Sequence, residues 1–312
     1  MGTHCFYSVI KQLLEYWNIT IGEADLYFLS DGLNASFPKS NSDSQLRYCN
    51  FSPYDRLLVR LAEQLDFQTE IHWMNNQKDC ALFRQQLQEL SAPMILCIDQ
   101  NQLSYHQVRS KTKMFHFILL YNSSQSKESV CLHDTFVLCN DGKVVTHHEL
   151  INKEECPTDF FCYINLWPRN ASCRAIKTNL SMIKKRLAAF IVDEQNEDNY
   201  YGNCALRYFF TQFDQIGQEA IHRDTAVNIV AMFKTYYMPV FDYLLQILIP
   251  LEPEFNLLND LRSIKNSWES MFITLLMFDY SKNLLPLMKR VSNEGKRLAD
   301  RQKDVFTNIL QL

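Results

Sequence analysis

Glycine is scarce in this chain, seven residues in 312, and none are spaced as a phosphate-cradling loop requires. An excess of charge of one sign is also missing: 31 Lys and Arg face 35 Asp and Glu, for a net charge of −4. That balance argues against a general nucleic-acid binder. With 47% hydrophobic and 21% charged residues, the composition also argues against disorder. There is no long apolar run. The most apolar stretch, residues 238–251, is interrupted by Asp242 and Gln246 and is too short to cross a bilayer. The first residues carry no basic segment, so a signal peptide is not expected. Gly2 invites a myristoylation reading, but Phe6 stands where that pattern wants Ser or Thr. Ten cysteines are spread along the chain without a CxxC pair or a zinc-ribbon spacing. They read as ordinary buried thiols in a reducing cytoplasm. The expectation is a cytoplasmic protein with no nucleic-acid or membrane partner.

What is present is ample core material and a change of pattern along the chain. Helical spacing marks residues 5–17, where Val9, Leu13, Tyr16 and Trp17 recur on one side. Ser52-Pro53-Tyr54-Asp55 reads as a helix start, with Ser at the cap and Pro at the first position. A strand is expected at 69–74 and a helix at 79–90. Strands then dominate, at 94–99, 114–122, 129–136 and 159–167, each rich in apolar, aromatic or β-branched residues. From about residue 170 strands disappear, and helices are expected at 180–192, 203–216, 224–247, 255–278 and 283–310. The order predicts an α+β domain over residues 1–170 with an antiparallel sheet, followed by an all-α domain over 171–312.

One group of residues could carry chemistry. Cys5 stands at the expected N-terminus of the first helix, where backbone N–H groups and the dipole favour negative charge, and the thiolate is cysteine's reactive form. A cysteine among ten reads first as a core thiol; its position is what raises it. If strands 114–122 and 129–136 form a hairpin centred on Gln125, partners' numbers sum to 250, as those of His116 and Asp134 do. Cross-strand partners share a face, and a carboxylate beside an imidazole fixes its tautomer. On that register His133 pairs with Phe117 and points the other way. A chance His and Asp on a surface hairpin gives the same arithmetic, and a slip by one residue inverts the faces.

The remaining candidates are bland. His147 and His148 with His133 lack a further ligand at metal spacing and read as a surface pair, so no metal is expected. Asp99, at a strand end, either orients substrate, stands in for Asp134, or simply begins a turn. Arg169, Arg174, Lys177, Lys184, Lys185 and Arg186 form a basic stretch without an intervening acid. It reads as a solvated linker and helix face, or as a docking patch for an acidic partner such as a carrier protein.

Thr3-His4-Cys5, then Gly22-Glu23-Ala24-Asp25-Leu26-Tyr27-Phe28 and Ser30-Asp31-Gly32-Leu33, resemble the opening of the butirosin biosynthesis protein H family. Ile98-Asp99 with Leu103-Ser104-Tyr105, His116-Phe117-Ile118-Leu119-Leu120-Tyr121 and His133-Asp134-Thr135 resemble its later blocks. The resemblance covers about residues 1–170, and the helical remainder resembles the domain that often follows. It implies a papain-like N-terminal domain, akin to bacteriocin-leader peptidases, with Cys5 as nucleophile, His116 as base and Asp134 as its orienter. Asp99, Tyr105 and Gly32, which lie in the shared blocks, are the residues expected to contact substrate. The implied activity is acyl transfer from an acyl or peptidyl carrier protein to a small-molecule or peptide acceptor. The donor itself brings the phosphopantetheine, so no cofactor is expected, and a homodimer is compatible with the sequence. One departure stands out: papain-like peptidases carry an oxyanion-hole Gln several residues before the Cys, and none of the four residues before Cys5 is Gln. A thioester is already activated, so this leans towards transfer. The alternatives are a cysteine peptidase or thioesterase, and a papain-like shell used as a binding module.

Overall fold

The computed structural model describes residues 4–39, 46–107, 113–124, 126–139, 143–169, 179–216, 223–251, 255–280 and 284–312. The chain falls into two compact units: Met1–Ser30 with Tyr54–Lys177, and Asp31–Pro53 with Thr178–Leu312. The division is therefore not a single cut near 170. Strand β1 (Ala35–Pro38), paired with β2 (Asn50–Phe51), is hydrogen-bonded to β9 (Asn199–Tyr201) in a three-stranded antiparallel sheet. That ladder ties residues 31–53 to the helical part. It also corrects the expectation that strands end at about 170, since β9 is too short to carry an apolar alternation.

The first unit is α+β. Its antiparallel sheet has the order β3-β8-β4-β5-β6-β7, from β3 (Phe67–Trp73), β4 (Met94–Asp99), β5 (Phe115–Asn122), β6 (Ser129–Leu138), β7 (Val144–Asn152) and β8 (Cys162–Pro168). β4 is buried at all six positions, as its unbroken apolar run demands of a central strand. One face packs Leu96, Ile98, Ile118, Leu120 and Leu132 against Phe83 and Leu87 of helix α4 (Gln77–Gln88). Elsewhere Phe6 of helix α1 (Cys5–Tyr16) and Tyr54 of helix α3 (Tyr54–Leu65) close on Phe117, with ring centroids 5.1 and 4.7 Å away. Helix α3 starts one residue later than its Ser-Pro signal suggested. α1 ends in a Schellman motif: Asn18 takes the left-handed conformation (φ 58°) and the Ile19 N–H returns to the Leu14 carbonyl at 2.9 Å. β7 and helix α2 (Glu23–Leu29) carry little sequence signal. β7 is a mostly exposed edge strand, and α2 is seven residues long.

The second unit is helical apart from its small sheet: α5 (Leu180–Ile191), α6 (Gly202–Thr211), α7 (Arg223–Met232), α8 (Pro239–Leu248), α9 (Phe255–Leu276) and α10 (Leu285–Gln311). Trp268, Phe210, Phe233 and Phe272 form its aromatic centre. The single helix expected at 224–247 is interrupted by a π-helical turn, Phe233–Tyr237, before Pro239 opens α8. Proline has no N–H to give and its ring collides with the preceding turn, so it starts a helix rather than continuing one. Among the described residues no helix is long and apolar enough to cross a membrane.

Candidate active site

Cys5 is the first residue of α1, and the His4 ring caps the helix, its Nδ1 accepting from the Phe6 N–H at 3.2 Å. Packing of Phe6 on Phe117 brings their chain neighbours Cys5 and His116 together, close enough for the Cys5 sulfur to act on the His116 ring. His116 and Asp134 are both buried, 2% and 0% exposed. His116 Nε2 lies 2.8 Å from Asp134 Oδ2, which leaves Nδ1 of that ring for the thiol.

The hairpin that carries this pair differs from the arithmetic expectation. Partners across β5 and β6 sum to 252, with Leu119 opposite His133 and Asn122 opposite Val130. The expected turn centre, Gln125, lies outside the described residues. His133 is thus opposite Leu119 rather than Phe117. Because the shift in the sum is even, the faces are preserved. Continued to its end, the ladder makes His116 and Asp134 diagonal neighbours, which long side chains still span. An irregularity in the β6–β7 pairing between Asp134 and Val137 re-aims this end of β6.

Asp134 holds more than His116. Its Oδ2 also accepts from His106 Nε2 at 2.8 Å and from the Tyr105 hydroxyl at 3.2 Å, while Oδ1 takes the Phe136 N–H at 2.9 Å. Burial works against the charge on Asp134, but hydrogen bonds from His106 and His116, with the His116 charge, hold its pKa well below the usual carboxylate range. Burial likewise opposes charge on His116, yet its bonds to Asp134 and Cys5 and their charges prevail and push its pKa up to about 10. The site therefore holds an ionised carboxylate and an imidazolium in series beside a sulfur at a helix N-terminus. His106 was not singled out in the sequence. It lies in the loop after β4, where no strand or helix periodicity marks it.

Tyr105, expected to contact substrate, donates to Asp134 and stacks on His147 with centroids 3.8 Å apart. Asp99 forms a turn: its Oδ1 accepts from the Asn101 N–H, the Asn101 side-chain amide and the Met114 N–H, each at 3.1 Å. Gly32 belongs to the second unit. So do Lys184, Lys185 and Arg186; Lys185 is exposed, Lys184 is half-buried, and Arg186 pairs with Asp31 at 3.2 Å. Arg174 and Lys177 lie outside the described residues. His133 stacks on His148 with centroids 3.8 Å apart, and burial, then the His148 charge, push its pKa down to about 4.

His106, His116 and Asp134 offer three potential metal ligands within 4.8 Å of one another. In this arrangement each is already spent on the others, as two N–H donors on one carboxylate oxygen. Near Cys5, the Cys97 thiol is pushed up by its hydrogen bond with Cys162 and by burial, which marks it as inert. A cavity of about 380 Å³ between Trp17, Leu90, Met94 and Trp167 lies at the C-terminal end of α1, and none of the residues around Asp134 line it.

Residues 4–135 match the family model described as Butirosin biosynthesis protein H, N-terminal. The resemblance read in the sequence holds over that segment, which contains Cys5, His106, His116 and Asp134. No curated protein matches the chain.

Proposed function

We propose that this protein is a cysteine-dependent acyltransferase with a papain-like N-terminal domain, acting on carrier-protein thioesters in antibiotic biosynthesis, the setting named by the matched family. The observation that supports this reading best is the buried His116–Asp134 hydrogen bond of 2.8 Å beside Cys5 at the N-terminus of α1. Cys5 sulfur attacks the thioester carbonyl, the bond to the pantetheine sulfur breaks, and His116 gives that sulfur its proton. The acyl group is then on Cys5. An acceptor amine or hydroxyl attacks it, His116 takes the acceptor's proton, and Cys5 leaves as the thiolate beside the restored imidazolium. The products are the acylated acceptor and the free carrier thiol. Asp134 orients the imidazole throughout and stabilises its charged form.

The nine described cysteines are free, which fits a reducing cytoplasm. Lys184 and Lys185 serve as the carrier-docking cations among the described residues; Arg186 is committed to Asp31. The test is product analysis with acyl-pantetheine thioesters and a set of amines. Amide formation that depends on Cys5 supports transfer. Release of free acid alone makes the protein a thioesterase.

A further inference from the structure

A carboxylate needs one imidazole to complete a Cys-His-Asp series, and Asp134 has two. Three donors, His106 Nε2, His116 Nε2 and the Tyr105 hydroxyl, converge on the single oxygen Oδ2 at 2.8, 2.8 and 3.2 Å. An ionised carboxylate offers about four acceptor sites over its two oxygens, so these three donors compete for about two. Relief through Oδ1 is limited, because the Phe136 N–H already binds it at 2.9 Å. His106 is 2% exposed, and among the described residues its Nδ1 has no hydrogen-bond partner. Among those residues the ring's polar engagement is therefore with Asp134.

We propose that His106 is a positioning residue: its Nε2–H occupies acceptor capacity on Asp134 Oδ2 and so limits how tightly Asp134 holds His116. The placement is independent of the acyl-transfer reading; its catalytic consequence rests on that reading. An imidazolium held too tightly keeps its proton when the leaving sulfur needs it. Sharing Oδ2 lets His116 release the proton while leaving the ring oriented. Among the described residues the ionisable groups facing His116 are Cys5 from α1, Asp134 from β6 and His106 from the loop after β4. Tyr105 acts through Asp134, with His147 and Glu149 of β7 beside it.

The test is the titration of the His116 ring followed by nitrogen NMR in the full chain. A Cys5→Ala background keeps the thiol from titrating with it. Adding His106→Ala is expected to raise the His116 pKa by ~0.5 units or more, since a hydrogen bond to a charged group is worth roughly 1.5–3 kcal/mol and one pKa unit about 1.4. Adding His106→Gln, which restores an N–H near the lost Nε2, is expected to return the value to within ~0.2 units of the background. Tyr105→Phe removes the third donor without opening a large cavity and must also shift the value upward. A role in packing alone lowers stability without raising the His116 pKa. An unchanged or lowered His116 pKa in the Ala variant, or in Tyr105→Phe should the Ala variant not fold, overturns the proposal. Absence of an acyl adduct on wild-type Cys5 would defeat the transferase reading and leave this titration result standing.

Discussion

His106 and His116 approach one oxygen of Asp134 from different directions, their ring centroids 4.6 Å apart and their planes inclined by 75°. Asp134 is thus the hub of the site rather than its last member.

Replacing that hub by its amide keeps the shape and removes the charge. Asp134→Asn is expected to lower the His116 pKa from about 10 and to slow Cys5 acylation by ~10²–10⁴-fold. Stopped-flow acylation and NMR titration of His116 check the two halves of this expectation. A variant acylated at the wild-type rate would remove Asp134 from the mechanism.

Cys5→Ala acts on the imidazole from the other side. The hydrogen bond and charge of Cys5 both raise the His116 pKa, so their loss lowers it. Acyl transfer is expected to fall by at least ~10³-fold. Circular dichroism should show the fold retained, because Cys5 sits at a helix end.

Stability should depend on pH through three groups. Asp134 is held below its ordinary 3.8, so its contribution is present above about pH 4 and fades as pH falls further. His133 is lowered from 6.5 to about 4, so its contribution is full above 6.5 and is lost as pH falls through 4. His116 is raised from 6.5 to about 10. Its contribution is full below 6.5 and is lost as pH rises through 10. Urea unfolding from pH 3 to 10.5 should therefore show losses at both ends, and Asp134→Asn should flatten both the acid and the alkaline limb. An alkaline limb unchanged in that variant would contradict the His116 assignment.

Gly295 of α10 allows a close approach to α6. A Cβ there would lie 2.2 Å from the Phe210 ring. Gly295→Ala must displace that ring from the aromatic centre and is expected to cost roughly 1–3 kcal/mol. Thermal unfolding followed by tryptophan fluorescence, which reports on Trp268, would register the change.

Cys5, His116 and Asp134 were legible because each sits on an element with a clear signal. A helix start marks Cys5, and two apolar strands carry the others. The register was off by two in the sum of partner numbers, yet an even error leaves every side chain on its own face. His106 was illegible for the opposite reason: it lies in a loop, and its partnership with Asp134 exists only once β4, β5 and β6 are assembled. Tyr105 is marked by the resemblance and Asp99 by its place at a strand end, but their hydrogen bonds, one to Asp134 and the other to a turn, depend on that same assembly. In the second unit Pro239 marked the break between α7 and α8, and apolar spacing running through it concealed the interruption.

The most direct test of the central claim is intact-protein mass spectrometry after brief exposure to acyl carrier protein thioesters, with the Cys5→Ala variant alongside. A mass increase of one acyl group is expected on the wild type, mapped to Cys5 by peptide analysis and absent from the variant. A wild type that stays unmodified while its Cys5 also resists an alkylating probe at neutral pH would contradict the catalytic role of Cys5.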